Sequence, residues 1–177
     1  METGYQAALK AIEGAIQMEI EGRDFYVTAS QKVTWPEGKQ TLLDLAKDEE
    51  EHIRILKAEH ASLVDGKDWI TAETVAPRMA EEKPIKVFER DDAKIAGMID
   101  DWANSEDVLD VAIRNEYNSA QYYIQQLSLA TNPEAKRIFQ WLVTEEKGHQ
   151  KTLMDYALYI GAHSEWLLER ERPLLEG

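Results

Sequence analysis

Two short segments, Asp48-Glu49-Glu50-Glu51-His52 and Glu145-Glu146-Lys147-Gly148-His149, limit the folds open to this chain more than any other part of it. Each contains Glu-x-x-His, and the two copies lie 97 residues apart. The same offset relates Glu19 to Glu116, each 30 residues before the Glu of its own pair. On a helix, side chains three apart project from one face, so each pair aims a carboxylate and an imidazole at one point. All six positions interrupt apolar rows at the three-and-four spacing of a buried helix face. The rows are Leu9, Ile12, Ile16, Glu19, Tyr26 and Ser30; Leu42, Leu45, Glu49, His52, Leu56 and Leu63; Leu109, Ala112, Ile113, Glu116, Ala120, Tyr123 and Leu127; and Phe139, Leu142, Glu146, His149, Leu153 and Ile160.

The repeat reaches beyond the polar positions. Shifted by 97, Ala15-Ile16 meets Ala112-Ile113, Phe25-Tyr26 meets Tyr122-Tyr123, and Leu42, Leu45 and Leu56 meet Phe139, Leu142 and Leu153. The expected fold is all-α, a four-helix bundle of two helix pairs joined by a long crossover, with residues 1–177 forming one domain. Helices are expected over about 5–31, 37–63, 105–130 and 133–160, with a crossover over 64–104 and a tail over 161–177. Pro36 and Pro133 suit first helical turns. Asp65-Gly66-Lys67 closes the second helix, and Gly161 is the expected cap of the fourth. Within the crossover, 71–82 has room for a short helix, and Asp91 reads as the N-cap of another bearing Ile95, Met98, Ile99 and Trp102. A connection this long and partly apolar is expected to run the length of the bundle.

A chain of 177 residues is large enough to bury a real core. Its net charge of −14 disfavours nucleic acid and anionic membranes as partners. There is no cysteine, which removes disulfides, thiol catalysis and iron–sulfur clusters. The N-terminal residues lack the pattern of a signal peptide, and no apolar run reaches the roughly 18 to 20 residues of a membrane span. The expected location is the cytoplasm.

Four inward carboxylates without cations repel one another, and each costs several kcal/mol to desolvate. Two divalent cations cancel their charge, so a dinuclear metal site accounts for the pattern. Carboxylates with imidazoles suit iron or manganese, with zinc possible. Other polar residues have plainer readings. Glu50, Glu51, Glu21 and Glu145 read as solvated faces, and His60 and His163 as structural. Tyr26 and Tyr123 fit core aromatics with satisfied hydroxyls. Gly22 and Ser119 either permit close packing or leave room beside the metals for oxygen, peroxide or water.

Taken together, the six positions resemble the ferritin-like superfamily, and within it the rubrerythrin family, over about residues 5–160. The resemblance implies a ferritin-like bundle with Glu19, Glu49, His52, Glu116, Glu146 and His149 as ligands of two iron ions, Glu49 and Glu146 bridging both. It implies that Tyr26 and Tyr123, seven residues after the single glutamates, hydrogen-bond ligand carboxylates. It further implies a redox reaction of the di-iron site with hydrogen peroxide or O2, resupplied by an external electron donor protein. Two departures stand against the family pattern. Without cysteine the chain carries no rubredoxin domain, and Ser119 occupies the place of an additional Glu that exchanges with a His. The alternatives are a ferroxidase-type protein for iron uptake, delivery or storage, and a non-catalytic metal-binding structural module. A homodimer is the expected assembly, through apolar surface that includes Trp102 and Trp166.

Overall fold

The computed structural model describes residues 4–33, 36–71, 74 and 102–175, with side chains described for 5–33, 36–71, 74 and 108–158. Its helices are α1 (Gly4–Ser30), α2 (Pro36–Val64), α3 (Trp102–Leu129) and α4 (Pro133–Leu175). Each bundle helix is long enough to place an apolar stripe along about 40 Å of core.

Side-chain pairings set the directions of the helices. His60 meets Glu13 and Arg23 meets Glu50, so α1 and α2 are antiparallel. His149 meets Glu116 and Phe139 stacks on Tyr123, so α3 and α4 are antiparallel. Tyr122 reaches Ala11 while Tyr26 reaches Glu116, which makes α1 and α3 antiparallel as well. It follows that α2 and α3 run the same way. The chain leaving Val64 must therefore regain the opposite end of the bundle before Trp102, as the length of the connection implied. Apart from Thr71 and Thr74, the residues of the short helices expected over 71–82 and after Asp91 lie outside the described residues, as do Ile95, Met98 and Ile99.

Local chemistry explains the helix ends. Gly66 adopts φ 72°, a left-handed conformation that carries no Cβ penalty in glycine. The amide of Lys67 donates to Ser62 O and that of Gly66 to Leu63 O, the paired bonds of a Schellman cap. At the start of α4, Asn132 Oδ1 accepts the amides of Glu134 and Ala135, with Pro133 in the first turn. One expectation is corrected here: α4 does not stop at Gly161 but continues to Leu175. A mid-helix glycine costs only about 1 kcal/mol, which the surrounding Ala, Leu and Glu offset. Side chains of the expected tail, including Trp166, and that of Trp102 lie outside those described.

The core has two apolar clusters. One gathers Ile12, Ile55, Leu56, Tyr123, Ile138, Phe139 and Leu142. The other gathers Tyr26, Leu42, Leu45, Leu109, Ala112, Leu153 and Tyr156. The apolar rows predict these positions well, although Leu9, Ile16, Ile113 and Leu127 are only partly buried. Between the two clusters, at the middle of the bundle, lie the six polar residues. No described helix is long and apolar enough to cross a membrane.

Candidate metal centre

Glu19, Glu49, His52, Glu116, Glu146 and His149 are all buried. α1 and α3 each contribute one glutamate, and α2 and α4 each contribute the Glu and His of one Glu-x-x-His pair. Their polar atoms sort into two groups. His52 Nδ1 lies 3.3 Å from each of Glu19 Oε2, Glu49 Oε2 and Glu146 Oε1. His149 Nδ1 lies 3.4 Å from Glu49 Oε1, 3.5 Å from Glu116 Oε2 and 3.6 Å from Glu146 Oε2. Glu49 and Glu146 thus give one oxygen to each group.

One imidazole proton cannot satisfy three oxygens. Glu116 Oε2, Glu146 Oε1 and both ring nitrogens of His149 have no hydrogen-bond partner although they are buried. Donor atoms about 2.1 Å from a shared cation stand roughly 3.0 to 3.4 Å apart in octahedral or tetrahedral arrangements. The observed spacings are close to this, so the residues fit two cations, each facing one nitrogen and three oxygens. In each group the four donor atoms lie within 4.8 Å of one another.

The tyrosines brace the site crosswise. Tyr26 of α1 donates its hydroxyl to Glu116 Oε1 on α3, and Tyr123 of α3 donates to Glu19 Oε1 on α1. Each ring belongs to one apolar cluster while its hydroxyl reaches the polar layer, so both readings of these residues hold together. Both phenols are pushed well above their ordinary range, by burial first and then by the facing carboxylate.

Outside the imidazoles stand two acids that the sequence reading did not assign to the site. Asp48 Oδ2 is 3.5 Å from His149 Nε2, and Glu145 Oε2 is 4.0 Å from His52 Nε2. Glu145 is corrected from a solvated residue to a half-buried one that faces an imidazole. A carboxylate behind a metal-facing histidine orients the ring and raises its basicity. The signal was present: both acids lie four residues before a histidine, on the same helix face, and they are related by the 97-residue shift. Glu50 and Glu51 remain outside the site, paired with Arg23 and Arg54. His60 pairs with Glu13.

Protons hold the charge of the site. Burial opposes a charged imidazole, but at His52 the Glu19, Glu145 and Glu146 carboxylates outweigh it and raise the pKa well above the usual value. At His149, Glu116, Asp48 and Glu146 do the same. Burial, with Glu146 and Glu49 nearby, pushes Glu19 well up. Burial pushes Glu116 up to about 8, against the pull of His149. At Glu49 burial is outweighed by the hydrogen bond with Glu19 and then those with His149 and His52, at Glu146 burial and the Glu49 charge are outweighed by the bonds to His149 and His52, and both are lowered. The charged form is thus favoured at both imidazoles and at Glu49 and Glu146, and the neutral form at Glu19 and Glu116.

Gly22 abuts this layer. A Cβ there would meet the Glu49 carboxyl carbon at 3.8 Å, an ordinary contact, so sterics alone do not require glycine. Ser119, its counterpart in the repeat, is half-buried.

The comparisons agree with this architecture. A solved structure described as a dodecameric thioferritin, the bacterioferritin-related protein from Bacteroides fragilis, is similar with a TM-score of 0.65 and 16% identity. The similarity covers 93% of this chain and 92% of that one. No curated protein sequence matches this chain. The dodecameric relative overturns the homodimer expected from apolar surface, because a bundle of this shape is found in a larger assembly. The sequence matches the rubrerythrin family over residues 10–159. With its ferritin-like bundle of paired helices and paired Glu-x-x-His segments, this chain belongs to the rubrerythrin family.

Proposed function

We propose that the six buried residues bind two iron ions, and that the protein is a redox protein reacting with hydrogen peroxide or O2. The observation that carries this reading is the pair of groups of one nitrogen and three oxygens sharing Glu49 and Glu146. Glu19 and His52 would hold one ion and Glu116 and His149 the other, with Glu49 and Glu146 offering one oxygen to each group. When bound, the metals supply electrons and Lewis acidity. The protein's own part is positional. Tyr26 and Tyr123 fix the outer oxygens of Glu116 and Glu19, Asp48 and Glu145 orient the imidazoles, and the apolar clusters exclude water above and below. An external electron donor restores the reduced state.

Stopped-flow mixing of the diferrous protein with peroxide, and separately with O2, tests the reading. The expected result is oxidation at least tenfold faster with one of the two than in Glu49→Ala. Equal rates in the two proteins would refute it. A second reading, ferroxidase-type uptake and storage of iron, draws support from the dodecameric relative and from Ser119 at the place of the additional Glu. Twelve copies of a 20.3 kDa chain weigh roughly 240 kDa. Light scattering near that mass, with hundreds of irons retained per assembly, would favour storage. Two irons per chain with repeated peroxide turnover would favour the first reading.

A further inference from the structure

The two imidazoles occupy matched positions, but their outer surroundings differ. Outside His149, α2 carries Asp48 and, one turn before it, Asp44. Both aspartate side chains are partly exposed, 25% and 32%. The matching positions on α4, outside His52, are Glu145 and Trp141. Trp141 packs on the apolar cluster of Ile12, Leu56 and Phe139 and meets the His52 ring in a T-shaped contact, with centroids 5.2 Å apart. His149 Nε2 is buried, points toward Asp48 at 3.5 Å and closes no hydrogen bond. The His149 side chain is 7% exposed, against 1% for His52.

We infer that divalent cations reach the centre from the α2 side, by way of Asp44 and Asp48 and past the His149 imidazole, while Trp141 closes the α4 side. This rests on the dinuclear reading above. Asp44 also meets Gln40 and the exposed Lys47. An exposed ion pair of this kind is worth only about 0–1 kcal/mol, so an arriving divalent cation displaces it. Two carboxylates one turn apart draw the cation in. Asp48 then holds it at the outer edge of the His149 ring, beside Nε2, one ring-width from the Glu49, Glu116 and Glu146 oxygens that face Nδ1. On the other side an indole stands where Asp44 has its counterpart, and it offers a cation no oxygen.

The test is cobalt(II) uptake by the metal-free full-length protein at low salt, followed by its visible absorption. Asp44→Asn combined with Asp48→Asn should slow uptake about tenfold, in line with the scale of electrostatic steering, with two ions still bound at saturation. Asp44→Asn alone, which touches none of the six central residues, should slow it severalfold. Asp155→Asn, with the same change of net charge on exposed α4, should load like the parent. Added salt should erase the difference. Uptake by Asp44→Asn at the parental rate, or equal slowing by Asp155→Asn, would overturn the inference. Failure of the parent to bind cobalt at all would instead overturn the dinuclear reading on which it stands.

Discussion

The chemistry of single residues turns on how protons and metals share one charge balance. In the metal-free site, the facing carboxylates favour protonated His52 and His149 against the opposing effect of burial, while burial favours the protonated form of Glu19 and Glu116. Two divalent cations must displace these protons, two from the imidazoles and two from the carboxyls. Loading at pH 7 is expected to release about four protons per chain, measurable with an indicator dye in weak buffer. Affinity therefore falls as pH falls, since protons then hold the ligand atoms more firmly. The tyrosines make a second expectation. Tyr26→Phe or Tyr123→Phe removes the donor to one buried carboxyl oxygen, and each should cost about 1–3 kcal/mol in the metal-free protein. Denaturant unfolding reads this directly, and metal stoichiometry should stay at two.

Among the helices, the end of α2 carries a titratable group unrelated to the centre. Glu59 is fully buried; one oxygen accepts the Ile70 amide and the other has no partner. Burial pushes it up to about 7, with Glu134 adding to the rise and the Ile70 amide opposing it. Around it, the chain leaving α2 is tied down by Ser62 to Asp68 O, Asn132 to Asp68, and Trp69 against Phe139. The folded state holds this proton more tightly than the unfolded chain. The stability it contributes is thus complete below about pH 4.5 and is lost as pH rises to about 7. The total loss is about 3 kcal/mol. Glu59→Gln keeps an acceptor for Ile70 and should flatten the stability profile across that window, leaving the variant more stable than the parent at pH 8. Urea unfolding at several pH values checks both the sign and the window.

For the assembled bundle, the polar layer is a weak plane between two good cores. Four carboxylates and two imidazoles replace apolar packing at mid-height, and without metal several of their atoms have no hydrogen-bond partner. Metal binds the folded state alone, so loading should raise the melting temperature reversibly, with about 2.7 kcal/mol gained per ion at a hundredfold excess over Kd. Chelation should return the melting temperature to its starting value. Glu49→Ala removes the carboxylate shared by both groups and should abolish the rise seen by calorimetry.

Helix class, the 97-residue repeat and the convergence of Glu19, Glu49, His52, Glu116, Glu146 and His149 were legible in the chain, for one physical reason. A helix has a fixed period, so a polar residue on an apolar row is carried into the core with its row, and a repeated row carries its partner to the same height. The long crossover was legible too, from the length between the two pairs. Residues on the shoulders of those rows followed a different logic. Asp48, Glu145 and Glu59 look like ordinary surface acids until a neighbouring helix brings an imidazole to the first two and the segment leaving α2 brings an amide to the third. The continuation of α4 past Gly161 likewise outran the capping signal, because a single glycine is a small cost in a segment otherwise rich in helix formers. Periodicity along one helix belongs to the chain; the burial of its margins depends on how closely the next helix packs.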